Sequence, residues 1–198
     1  MELLLATRNP HKTKEFRELL GVEFTLIDLS DFPEIVMPKE TGRTFAENAT
    51  LKARSVSQDR QSLIVADDSG LEVDALGGAP GIYSARYAGE NARDAENVDK
   101  LLRELHARNI AVEKRSARFR CVIALAQSGK VLGTFEGAVE GHVVDLPRGQ
   151  HGFGYDPVFQ PNGFGQTFAE MPAELKNKIS HRAKAIAALS EALREIGN

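Results

Sequence analysis

Three short stretches hold the residues best suited to chemistry. Residues 7–12, Thr-Arg-Asn-Pro-His-Lys, follow an apolar run and open a helical pattern. A strand that turns into a helix presents backbone N–H groups and the positive end of a dipole, and together these bind phosphate. Thr7 and Asn9 add short polar groups there, and Lys12 adds a point charge within one turn. The plainer reading is a helix capped by Asn9, with Lys12 in solvent. No Gly-x4-Gly-Lys-Ser/Thr segment and no Gly-x-Gly-x-x-Gly after a strand occurs, so P-loop and dinucleotide binding lose their usual support.

The second stretch, Asp67-Asp68-Ser69-Gly70, ends the apolar run Leu63–Ala66. Adjacent carboxylates are costly to desolvate unless a metal or a cation lies beside them. Mg²⁺ takes one or two carboxylates, several waters and substrate phosphate oxygens, and it lowers the pKa of a bound water. The same residues also read as an acidic Asx turn. A third reading is the Asp-Ser/Thr-Gly pattern of an aspartic protease, carried by Asp68-Ser69-Gly70. The tetrapeptide alone leaves all three open.

The third group is residues 152–159, Gly-Phe-Gly-Tyr-Asp-Pro-Val-Phe, with Lys176 and Ser180-His181-Arg182. Phe153 and Tyr155, set beside glycines, offer ring faces to a planar base. Lys176, His181 and Arg182 are donors for a keto oxygen or a phosphate. The alternatives are Phe153 and Phe159 as core, His181 as an ordinary first-turn residue, and Arg86 with the Tyr83–Tyr87 loop as surface. A peptidase needs none of this phosphate-facing equipment, which weighs against the protease reading.

Hydrophobic periodicity supplies the elements that must position these groups. Leu3–Ala6 reads as a strand. Asn9 caps a helix that starts at Pro10, carries Phe16, Leu19 and Leu20 on one face, and stops at Gly21. Thr44 begins a second helix, with Glu47 at capping-box spacing. Leu63–Ala66 is a strand entering an acidic turn, and Leu71–Leu76 alternates as another. A glycine-rich loop over Gly77–Gly89 precedes a helix through Val98, Leu101, Leu102 and Leu105. Extended segments follow near 116–127, 130–136 and 138–145, with one more strand around Pro157–Phe159. Ser180 caps a last helix, with Ile186, Leu189, Leu193 and Ile196 on one face and Gly197 after it. Interleaved strands and helices predict an α/β fold, and the consecutive strands over 116–145 predict a mixed sheet.

Composition bounds the rest. A chain of 198 residues with 42% hydrophobic residues predicts one domain, over 1–198, with a full core. The net charge of −3 gives no basic excess to suggest nucleic acid as a partner. No apolar stretch approaches the ~18 residues of a membrane span. The start, MELLLATRNP, lacks the pattern of a signal peptide. Cys121 is the single cysteine, so no internal disulfide forms and a reducing cytoplasm is expected. Its neighbours, RFRCVIALA, predict a buried, inert strand thiol.

The motifs TRNPHK, ETGRTFAENATLKA, ADDSGLEVDALGGAPGIYSARYAG, GFGYDPVF and ISHR, in this order and spacing, resemble the inosine triphosphate pyrophosphatase-like family, also called the Ham1 or RdgB family. The likeness runs from Leu3 to about Leu193. It implies hydrolysis of non-standard purine nucleoside triphosphates (ITP, dITP, XTP) to the monophosphate and pyrophosphate, by attack of water on the α-phosphorus. It also implies an elongated mixed sheet flanked by helices, two lobes around a central cleft, a homodimer and Mg²⁺. By the same resemblance Thr7, Arg8, Asn9, Pro10, His11 and Lys12 hold the triphosphate. Asp68 is the catalytic carboxylate, as metal ligand or as base for the water, with Asp67 as the alternative and Ser69 beside the substrate. Phe153, Gly154, Tyr155 and Asp156 line the nucleoside pocket, Lys176 touches the substrate, and His181 and Arg182 contact the base. Two positions depart from the family pattern. Lys39 replaces an acidic residue, which leaves Glu40 as the second metal carboxylate and Glu47 as its competitor. His151 stands where glycine is expected.

Overall fold

In the computed structural model, which describes residues 1–197, the first apolar run is strand β1 (Glu2–Leu5), followed by helix α1 (Pro10–Leu20). Asn9 caps α1 as predicted, its side-chain oxygen accepting the N–H groups of His11 and Lys12. Gly21, at φ +70°, ends it. Strand β2 (Thr25–Asp28), too short to register as a period, comes next. Helix α2 (Phe45–Ser57) is capped by Thr44, whose hydroxyl accepts the Glu47 N–H at 3.1 Å. The Glu47 carboxylate accepts the Arg43 N–H at 2.6 Å, so Glu47 serves this helix end.

The remaining elements are β3 (Leu63–Val73), α3 (Asp94–Ala107), β4 (Ser116–Gln127), β5 (Lys130–Val143), β6 (Phe159–Pro161), α4 (Ala173–Ile179) and α5 (His181–Gly197). The six strands form one sheet in the order β2-β1-β3-β4-β5-β6. β1 is parallel to both β2 and β3, while β6 is antiparallel to β5, so the α/β sheet is mixed as expected. Among the described residues no helix is long and apolar enough to cross a membrane.

Several boundaries differ from expectation. The acidic residues are not in a turn: β3 runs without a break through Asp67, Asp68, Ser69 and Gly70. β5 likewise passes straight through Gly137. The Gly77–Gly89 loop contains short 3₁₀ segments, Asp74–Leu76 before it and Gly81–Arg86 within it. The last helix extends through Gly197 instead of stopping before it.

The chain divides into two compact units, Met1–Asp68 with Cys121–Gly137 and Arg182–Asn198, and Ser69–Arg120 with Ala138–His181. Each has a hydrophobic core. In the first, Leu3, Leu5, Leu63, Val65, Ile123 and Leu125 meet Phe16 and Leu20 of α1 and Ile186, Leu189 and Leu193 of α5. In the second, Leu71, Val73, Phe119 and Val143 meet Val98, Leu101 and Leu105 of α3, together with Phe159 and Phe168. Gly70 has a steric reason in this second unit. A Cβ there would lie 2.4 Å from Ser84 Oγ and 2.5 Å from the Gly81 carbonyl oxygen. Cys121 is fully buried in the first core, and burial pushes its thiol up to about 12, the inert packing expected of it.

Candidate active site

Successive side chains of a strand point to opposite faces, and this splits the acidic pair. Leu63 and Val65 face α1 and α5, and Asp67 falls on the same side by period. Its carboxylate accepts Lys12 Nζ at 2.9 Å and Arg182 Nη2 at 3.1 Å, and the Arg182 guanidinium also pairs with Glu15. Asp67 and Arg182 are 3% and 1% exposed. Burial by itself would raise the Asp67 pKa, but Lys12, Arg182 and Lys52 outweigh it and hold the group well below the usual carboxylate range.

Asp68 points the other way, toward α2. Its Oδ1 accepts Lys52 Nζ at 3.0 Å and its Oδ2 accepts the Asn48 amide at 3.1 Å. The same Lys52 ammonium donates to Glu40 Oε1 at 2.9 Å. Asn48 in turn accepts the Gly42 N–H through its own oxygen, so both ends of its amide are used. For Asp68 burial is the largest influence, and with Glu40 it raises the pKa against the pull of Lys52. Lys52 is desolvated too, yet Asp68, Asp67 and Glu40 keep its pKa raised. Glu40 and Asp68 therefore turn hard oxygens toward one cationic point, a donor set that suits Mg²⁺.

A pair of carboxylates sharing one proton, as in a protease dyad, needs the two groups together and away from cations. With one Asp68-Ser69-Gly70 copy per chain, the second carboxylate would be Asp68 of another copy; here Asp68 is buried and already accepts the Lys52 ammonium and the Asn48 amide.

The β1–α1 turn differs in detail from a cradle of free backbone donors. Asn9 N–H goes to Thr7 Oγ1, and those of His11 and Lys12 go to the Asn9 side chain. Pro10 has no N–H to offer. What the turn brings together is the Asn9 side chain, the Thr7 hydroxyl and Lys12, which is paired with Asp67. Arg8 turns its guanidinium toward the backbone carbonyls of the 32–35 segment.

In the second unit Asp156 is the organising residue. Its Oδ2 accepts Lys176 Nζ at 2.7 Å and the Phe153 N–H at 3.0 Å. Lys176 also lies 5.4 Å from the Phe153 ring centre. Gly152, at φ +75°, passes so close that a Cβ would collide with the Asp156 carboxylate. Gly154 N–H reaches Asp94 at 2.6 Å, Phe153 and Gly154 are half-buried, and His151 is exposed. Two of the residues expected at the base lie deep in this unit. Tyr155 offers no ring face, because it is buried in the core with its hydroxyl donating to the Ser84 carbonyl at 2.9 Å. His181 is buried and stacked on Phe119, ring centres 4.7 Å apart and 9° from parallel. Ser69 is half-buried on β3.

Sequence reasoning missed Asn48, Lys52, Glu15 and Asp94. Asn48 and Lys52 share the buried stripe of α2 with Phe45, Ala49, Ala53 and Val56. Polar residues on a core-facing stripe are a legible signal that a partner waits on the facing strand.

Carboxylates held by ammonium groups on both sides of one strand, next to a strand–helix turn, define an α/β enzyme built for charge-dense oxygen ligands. Residues 3–192 match the Ham1 family, and the chain belongs to it. A dITP/XTP pyrophosphatase of Shouchella clausii (strain KSM-K16) is 49% identical over 192 residues, covering 97% of this chain and 96% of that protein. One from Bacillus subtilis (strain 168) is 47% identical over 195 residues, with coverage of 97% and 96%. Among solved structures, a HAM1 protein from Coxiella burnetii superposes with a TM-score of 0.88 at 43% identity, covering 98% of this chain and 99% of that one.

Proposed function

We propose that this protein hydrolyses non-standard purine nucleoside triphosphates (ITP, dITP, XTP) to the monophosphate and pyrophosphate. The observation that carries the reading is the charge arrangement on β3: Asp68 with Lys52, Asn48 and Glu40 on one face, Asp67 with Lys12 and Arg182 on the other. Lys12, Thr7 and Asn9 bind and orient phosphate oxygens. Asp68 is the better proton acceptor of the pair, since a base works best when its pKa is not far below the working pH. Asp67 is held too strongly ionised for that task, and it fixes Lys12 instead. Glu40 and Asp68 would hold Mg²⁺. When bound, Mg²⁺ screens phosphate charge and lowers the pKa of a coordinated water. Phe153, Gly154 and Lys176 serve base recognition, with Asp156 setting the loop.

A keto oxygen at C6 distinguishes hypoxanthine and xanthine from adenine. A site donor facing that oxygen meets another donor in adenine, and both then lose water without gaining a partner. Such a hydrogen bond can discriminate by ~10⁴-fold, so kcat/KM for ITP, dITP and XTP should exceed that for ATP by at least ~10²-fold. The test is a nucleotide panel with Mg²⁺ that scores pyrophosphate against orthophosphate. EDTA should abolish turnover and added Mg²⁺ restore it. Equal hydrolysis of ATP and ITP, or full activity without metal, would sink this reading.

A two-fold homodimer belongs to the same proposal. Tyr83 is exposed and Ile82 and Tyr87 are half-buried on and beside the 3₁₀ segment, an apolar surface that a second copy would cover. Sedimentation at micromolar concentration should give twice the chain mass, and a species of single-chain mass alone would refute it. A reducing cytoplasm suits the free Cys121 thiol.

A further inference from the structure

We propose that Arg8 is a positioning residue that locks the segment between β2 and α2 to the β1–α1 turn and so fixes where Glu40 stands. The role of Glu40 as a metal carboxylate rests on the function proposed above; the anchoring itself does not. Arg8 Nη2 donates to the carbonyl oxygens of Ile35 at 2.7 Å, Phe32 at 3.2 Å and Pro33 at 3.5 Å. The segment is tied to the same turn at its start, where the Leu29 N–H donates to the Thr7 carbonyl at 3.1 Å. Arg60 grips it from another side, 5.1 Å from the Phe32 ring centre and 3.5 Å from Glu34.

At its far end the segment is tied to α2. The Glu40 carboxylate accepts Lys52 and the Gly42 N–H reaches Asn48 at 2.9 Å. Val36 to Lys39 is a span with no helix or strand of its own, so the placement of Glu40 depends on the anchors either side of it. Residue 8 thus has its backbone in the phosphate turn and its charge on the segment that carries Glu40, linking the two.

The test uses the full-length protein, first without nucleotide or metal. In Arg8→Ala, amides of 34–40 should exchange with deuterium about five- to tenfold faster than in the wild type, the scale of losing charged hydrogen bonds at a solvent-exposed site. With ITP as substrate, the half-activating Mg²⁺ concentration should rise by a similar factor, while KM at saturating Mg²⁺ moves by less than about twofold. Arg60→Ala loosens the same segment without touching the phosphate turn and should reproduce the exchange and Mg²⁺ effects. Unchanged exchange over 34–40 in Arg8→Ala overturns the proposal. So does a KM rise at saturating Mg²⁺ with normal exchange, which would make Arg8 a direct phosphate ligand. Faster exchange in a protein whose wild type hydrolyses no triphosphate would support the anchor and remove the pyrophosphatase reading instead.

Discussion

Asp68→Asn removes nearly all turnover and leaves the melting temperature nearly unchanged. Both halves come from the same environment. Asp68 is buried against α2, and burial together with Glu40 raises its pKa despite Lys52. A carboxyl whose pKa is raised on folding contributes stability at low pH that is lost as pH rises through the folded value. At neutral pH that loss is set against the support the ionised Asp68 gives the buried Lys52 ammonium, whose pKa it helps to raise, so the two effects on the fold offset each other. Asparagine keeps the shape, can still accept from Asn48, and leaves Glu40 as an anion for Lys52. What it removes is a charged oxygen for a metal and a basic oxygen for water. We expect kcat to fall by ~10³-fold or more, about 4 kcal/mol of transition-state stabilisation. Retention of more than about a tenth of the activity, under ~1.4 kcal/mol, would mean that Asp68 is not central. A melting temperature several degrees lower would mean instead that the ion cluster around Lys52 is chiefly structural.

The helices were the most legible part of the chain, because caps and stripes report directly on them. Asn9, Pro10 and Gly21 bracket α1 as read, and Thr44 starts α2. The sheet was read less well where polar residues sit inside a strand. Asp, Ser and Gly are poor strand formers, so Asp67–Gly70 looked like a turn. The strand persists there because Lys12, Arg182, Lys52 and Asn48 satisfy the two carboxylates, and because Ser84 and Gly81 crowd onto Gly70. None of those partners is local in sequence. Helix α4 escaped for a different reason, since seven residues carry too little period to detect. Within the site, residue types were legible and directions were not. Tyr155 and His181 have the chemistry of a base pocket, but their burial, Tyr155 in the second core and His181 stacked on Phe119, is set by partners distant in sequence. Arg182 held a visible clue, because it lies four residues before Ile186 on the stripe that continues through Leu189 and Leu193. A charge on that stripe is a buried charge, and it needs a buried partner.

That partner makes Arg182→Ala the substitution with the largest expected effect on stability. The guanidinium lies between Asp67 and Glu15, and burial opposes its charge less strongly than the two carboxylates support it, so its pKa is raised. Alanine would take the guanidinium away from both Asp67 and Glu15. Removing one member of a buried ion cluster costs ~3–5 kcal/mol, which for a chain of this size lowers Tm by about 6–20 °C. The acid limb gives an independent check. The depressed pKa of Asp67 means that its ionised form stabilises the native state above the unfolded value near ~4, and that this contribution is lost as pH falls below it. In Arg182→Ala the Asp67 pKa rises, so less of that stability remains to be lost, and the melting temperature should fall less steeply with acid than in the wild type. Asp67→Asn should flatten the same limb further. The resemblance assigns Arg182 to the base instead, and the two roles separate cleanly by experiment. A structural charge lowers Tm and reduces turnover of ITP and ATP together. A base contact narrows the ITP/ATP ratio of kcat/KM, and if that happened with Tm within about 2 °C of the wild type, the placement of Arg182 as the clamp on Asp67 would be wrong.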